Sequence, residues 1–195
     1  MQKDKKIVIA SGNAGKIREI AEIFSEYEVI GCNSAGFTDE IEETGETFYE
    51  NAYIKADTVC KALNLPALAD DSGLCVDALG GAPGIYSARY AGDGKDESNI
   101  NKLLSVMKNE KNRSAKFVCH LVLRYPDGRT LDAAGETYGE ILSEKRGDGG
   151  FGYDPVFFSN DLKKSFGEAS EREKNSVSHR ARALFKLKEK LDFKE

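Results

Sequence analysis

KKIVIASGNAGKIREIAEIFSEY, residues 5–27, decides the fold class. Lys5 to Ala10 carries the short apolar run Ile7, Val8, Ile9 of a buried strand. Ser11-Gly-Asn-Ala-Gly15 is a turn of small residues. From Lys16 to Tyr27, the residues Ile17, Ile20, Ala21 and Phe24 recur at helical spacing. Strand, glycine-containing loop and helix, in that order, open an α/β chain.

Downstream, Val29-Ile30 reads as a further strand, followed by an acidic loop through Asp39-Glu-Ile-Glu-Glu43. Thr47 to Asn64 is predicted as a helix whose apolar stripe is Phe48, Ala52, Ala56, Val59, Cys60 and Leu63. Asn51 and Lys55 lie one turn apart on a neighbouring stripe, and Pro66 stops the helix. Pro66 to Ala69 is a short buried strand leading into Asp70-Asp-Ser-Gly73, which reads equally as carboxylates at a strand end or as a solvated turn. Asn99 to Asn109 reads as a helix. Ala115 to Tyr125 and Thr130 to Glu136 read as strands joined by Pro126-Asp-Gly128, with Tyr138 to Leu142 as a third, short strand. Gly147 to Asp154 is a glycine-rich loop, and Ser178 to Phe193 a final amphipathic helix. Helices alternate with strands early and hairpins dominate the middle. The expectation is a single α/β domain over residues 1–195 with a mixed central β-sheet flanked by helices.

Of the 195 residues, 40% are hydrophobic and 31% charged, an ordinary globular balance. The net charge of −5 argues against a general nucleic-acid binder but not against a small anionic ligand, which needs only local positive charge. Cys32, Cys60, Cys75 and Cys119 show no metal-ligand spacing or disulfide framework and read as reduced, small hydrophobes. No apolar run approaches the ~20 residues of a membrane span. A soluble, cytoplasmic protein is expected.

Four groups of residues can carry chemistry. Ser11, Gly12, Asn13, Ala14, Gly15 and Lys16 open a helix, where backbone N–H groups and the dipole favour phosphate. The spacing is not that of a P-loop, since Ala10 stands at the first glycine position and Ile17 replaces the Ser/Thr. Asp70 and Asp71 at a strand end suit Mg²⁺, with alternation pointing them in opposite directions; Glu42 and Glu43 are a weaker source of carboxylates. Phe151 and Tyr153 offer stacking surfaces for a base. Lys174, His179 and Arg180 form the last group, and positive charge on the first turn of a helix invites an acceptor-rich ligand. Each group also has a plain reading: a surface turn, a solvated acidic loop, core aromatics. His120, in mid-strand, reads as structural, and residue type does not assign Arg89.

Together these segments resemble the inosine triphosphate pyrophosphatase family over nearly the whole chain. The strings that carry it are SGNAGK at 11–16, FYENAYIKA at 48–56, LADDSGLCVDALGGAPGIYSARYAG at 68–92, GGFGYDP at 149–155 and EKNSVSHRARAL at 173–184. The resemblance implies two lobes with a cleft between them, a homodimer, and Mg²⁺-dependent hydrolysis of ITP, dITP and XTP to monophosphate and pyrophosphate. It implies that Ser11 to Lys16 cradle the phosphates, helped by Lys55. Asp71 would bind Mg²⁺ and act as general base, Glu42 would join the metal, and Ser72 would contact substrate. Phe151, Gly152, Tyr153 and Asp154 would hold base and sugar, with Lys174, His179 and Arg180 at the purine edge. Competing readings are a pyrophosphatase for pyrimidine or methylated nucleotides and a non-catalytic nucleotide sensor.

Overall fold

The structure, a computed structural model, describes residues 5–192. Seven strands form one mixed sheet in the order β2-β1-β3-β4-β5-β6-β7. β1 (Lys6–Ile9) pairs in parallel with β2 (Glu28–Gly31) and with β3 (Ala67–Val76). Ile7, Val8 and Ile9 are all buried, as a strand with neighbours on both edges requires. β4 is Ser114–Arg124, β5 is Thr130–Ile141, and β6 (Phe157–Ser159) and β7 (Lys164–Ser165) add antiparallel pairs. The helices are α1 (Ala14–Ile23), α2 (Phe48–Leu63), α3 (Asp96–Val106), α4 (Glu171–Val177) and α5 (His179–Asp192). No helix among the described residues is long and apolar enough to cross a membrane.

The chain divides into two compact units. Among the described residues, the first comprises 5–71, 120–134 and 183–192, the second 72–119 and 135–182. In the first, Val8, Ala67, Val59 and Cys60 pack together, with Ala52, Ala56, Ala69 and Val122 beside them. In the second, Leu74, Leu103, Phe117, Ile141, Phe157 and Phe166 belong to one buried cluster. All four cysteines are free thiols, and three of them are buried.

Local chemistry sets the helix ends. Thr47 and Glu50 form a reciprocal capping box at the start of α2, and Asn64 closes it in the left-handed conformation at φ 51°. A second box, Ser170 with Glu173, starts α4, a helix that the sequence reading lacked. Ser178 separates α4 from α5, and its hydroxyl accepts the Ala181 N–H. Phe193, where the sequence reading ended the last helix, lies outside the described residues.

Two expectations change. The strand expected to end at Ala69 instead continues through Asp70-Asp-Ser-Gly73 to Val76 as β3. The two strands expected at 130–136 and 138–142 are one continuous β5. The gap expected at Thr137 is absent; two residues on, Gly139 pairs with Ser159, and a Cβ there would lie 2.2 Å from the Phe158 carbonyl oxygen. The glycine lets β6 approach.

Candidate active site

In the first unit, the parallel register of β1 and β3 brings the loop after β1 to the carboxylates of β3. Ala10 N–H donates to the Leu68 carbonyl at 2.8 Å. Two residues further along β3, Asp70 Oδ1 accepts from Lys16 Nζ at 2.9 Å. Asn13 caps α1, its Oδ1 accepting the N–H groups of Gly15 at 2.9 Å and Lys16 at 3.1 Å. The Ser11 hydroxyl accepts the Asn13 N–H. Those first-turn donors, which the sequence reading offered to phosphate, are therefore held by the loop's own side chains here. Gly12, Ala14 and Gly15 are exposed.

Asp71, the next residue, turns to the other face and meets different partners. Lys55 Nζ lies 3.4 Å from its Oδ1 and 2.7 Å from Glu43 Oε1. Asn51 Nδ2 donates to its Oδ2 at 3.2 Å. Burial pushes the Asp71 carboxyl above its ordinary range, and the like charge of Glu43 adds to this. Lys55 and Asn51 offset only part of it. For Lys55, burial pulls the other way, but Asp71, Glu43 and Asp70 together raise its pKa. Glu42 is exposed, while its neighbour Glu43 is the residue at Lys55. The sequence set Asn51 one turn from Lys55 but gave it no role; it is a lone amide on the buried face of α2, and its place among alanines was the further signal.

The second unit gathers a different set. Phe151 is 58% exposed, and Tyr153, two residues on, is only 4% exposed. The tyrosine ring packs in the core and its hydroxyl donates to the Ser87 carbonyl at 2.9 Å, so of the two rings only Phe151 presents a face. Burial drives the Tyr153 phenol pKa far upward. Asp154, buried, accepts the Phe151 N–H at 2.9 Å and receives the Lys174 ammonium on the same oxygen. That ammonium sits 4.3 Å from the centre of the Phe151 ring and 5.7 Å from that of Phe166. Gly152 N–H is held by Asp96 at the start of α3, 2.7 Å away.

His179, buried on the first turn of α5, stacks on Phe117 at 5.0 Å with the planes 15° apart. Phe117 in turn stacks on Phe166. Arg180 follows His179, also buried. Phe117, inside the ordinary apolar run of β4, and Phe166, isolated among polar residues, were not singled out in the sequence. Ser72 is partly buried on β3 immediately after Asp71. Arg89 lies over the Tyr86 ring at 5.3 Å. His120 contacts Asp132 and the edge of Tyr49, as a structural residue does.

Lysines paired with carboxylates in a strand just beyond its parallel pairing with β1, and a separate lysine fixed over an exposed ring, are the equipment of a nucleotide-handling α/β protein. The particular family follows from comparison: residues 7–190 match the model of the Ham1 family, and the chain belongs to it. A dITP/XTP pyrophosphatase of Bacillus cereus is 46% identical over 198 residues, covering 98% of this chain and 97% of that one. A Bacillus subtilis protein of the same name is 48% identical over 193 residues, covering 96% and 98%. The solved structure of the Staphylococcus aureus Ham1 protein matches with a TM-score of 0.92 at 46% identity, covering 98% of this chain and 100% of that one.

Proposed function

We propose that this chain hydrolyses the non-standard purine nucleoside triphosphates ITP, dITP and XTP to monophosphate and pyrophosphate, clearing them from the pool that feeds DNA and RNA synthesis. The observation that carries the reading is the pair of lysine–carboxylate contacts on adjacent residues of β3, in a chain so similar to proteins named for this reaction.

Asp71 and Glu42 are assigned to Mg²⁺. The donor set fits, because Mg²⁺ takes hard oxygen ligands and commonly needs only one or two carboxylates beside substrate phosphates. Glu43, already at Lys55 and Asp71, is a further oxygen donor of the right kind. The bound ion supplies neutralisation of triphosphate charge.

The chain's own groups do the rest. Asp71 orients a water toward the α-phosphorus and accepts its proton. Lys16 and Lys55 exchange their carboxylate partners for phosphate oxygens and offset charge on the leaving pyrophosphate. Ser11 to Gly15 wrap the phosphates, and Ser72 adds a hydroxyl contact. Phe151 stacks on the base, with Gly152, Tyr153 and Asp154 shaping its surroundings. Lys174, His179 and Arg180 present donors to a 6-oxo purine. Adenine puts an amino donor there and leaves a protein donor unmatched, a difference of roughly 1–3 kcal/mol. The protein is assigned to the cytoplasm as a homodimer, which gel filtration checks.

A nucleotide panel tests the reading. ITP, XTP and dITP with Mg²⁺ should yield monophosphate and pyrophosphate, ATP far less, and EDTA should stop the reaction. Equal rates on ITP and ATP, or turnover in EDTA, would refute it.

A further inference from the structure

Asn51 has no role in the scheme above, yet its surroundings are specific. It lies on α2 one turn before Lys55 and is 0% exposed, on a face otherwise made of residues such as Ala52, Ala56 and Val59. An amide buried there is unfavourable unless both of its ends are matched. Both are. Its Oδ1 accepts the Gly45 N–H at 2.8 Å, which fixes the oxygen end of the amide. The NH₂ end is thereby turned to Asp71, where it donates to Oδ2 at 3.2 Å. The loop is shaped for this contact: a Cβ on Gly45 would lie 2.8 Å from Asn51 Oδ1 and 2.6 Å from Glu50 Cβ. Only glycine allows the backbone so close.

We infer that Asn51 is a positioning residue for the Asp71 carboxylate. Its neutral donor holds Oδ2, so that Oδ1 is left on the side of Lys55, 3.4 Å away, as the oxygen that meets the reacting water. The same amide ties down the loop that carries Glu42 and Glu43, so the acidic loop and Asp71 keep a fixed relation. A packing role alone would be served by alanine, which fills the neighbouring positions of this face. The inference rests on the hydrolytic reading given above for Asp71.

Asn51→Asp keeps the size and the acceptor for Gly45 but removes the donor to Asp71. Asn51→Ala removes both contacts without adding charge, and serves if the first variant does not fold. Each folded variant should lose about 100-fold in kcat for ITP, the scale of a general base held out of place, with KM nearly unchanged. Wild-type kcat in a folded variant overturns the inference. So does a kcat loss that merely follows a falling Tm and a rising KM, the pattern of a structural residue. Crystal structures of the variants read the same point without turnover: the Asp71 carboxylate should rotate from its wild-type position, and an unmoved carboxylate overturns the inference. If the wild-type protein releases no pyrophosphate from any nucleotide, the hydrolytic reading has failed, and the carboxylate position still decides the role of Asn51.

Discussion

The two units hold their candidate-site lysines by different means. In the first, Lys16 and Lys55 rest on carboxylates: Asp70 for one, Asp71 and Glu43 for the other. In the second, Lys174 has one carboxylate, and that oxygen already accepts a backbone N–H; ring faces make up the rest of its setting. A charge answered only by charges can change partners when a triphosphate arrives. A charge seated between a ring and a backbone-anchored carboxylate stays in place and defines a shape. Under the proposed function, the contrast would separate a site for a charged group undergoing reaction from one for a flat, neutral group that is only read.

Four substitutions sharpen or break that contrast. Asp71→Asn should give the largest effect, a loss of about 1,000-fold or more in kcat for ITP. It should fold, because Lys55 keeps Glu43 and is not left as a buried lone charge. Near-normal turnover would remove Asp71 as base. Lys16→Ala should lower kcat/KM about 100-fold by removing transition-state stabilisation; steady-state kinetics showing an unchanged value would take Lys16 out of the site. Phe151→Ala acts in the other unit and should differ in kind. KM for ITP should rise about 10-fold, the scale of one lost stacking contact, with kcat nearly constant. A kcat loss as large as that for Lys16 would erase the distinction between the two groups.

The smallest effect concerns stability. Glu173, in the capping box of α4, has its pKa held down to about 2, first by Lys164 and then by Ser170. A depressed carboxyl contributes stability in full above its ordinary 4.5 and loses it as pH falls toward about 2. Glu173→Gln should therefore lower Tm slightly at neutral pH, with the difference fading over that acidic window and shrinking in salt. A pH-independent difference would mean that the charge on Glu173 does not matter to the α4 cap.

Much of the first unit was legible because its signals are local. The apolar run of β1, the glycine turn and the apolar stripe of α2 each depend on a few neighbouring residues. The continuation of β3 was not. Asp70-Asp-Ser-Gly73 has the composition of a turn, yet it runs as strand within the sheet, with its carboxylates meeting lysines from α1 and α2 that are distant in sequence. The continuity of β5 through Thr137 was not legible either, because its pairing with β6 at Gly139 to Ile141 is made by residues some twenty positions away. α4 has seven mostly polar residues and no stripe, so only the Ser170–Glu173 capping pattern announced it. The types of the candidate site residues were readable, but their partners were not. Neither the burial of Tyr153 nor the place of Glu43 beside Lys55 follows from spacing.

The adjacency of Asp70 and Asp71 makes β3 sensitive to chain length. Successive strand residues face opposite ways, so one residue inserted between β3's entry and Asp70 would put Asp70 in the place of Asp71 beside Lys55 and carry Asp71 past Lys16 to the present place of Ser72. A pair of inserted residues would restore the faces but carry both acids about 6.6 Å along the strand. Loops elsewhere in the chain can absorb such changes. Between Ala67 and Asp71, the count of residues is itself part of the chemistry.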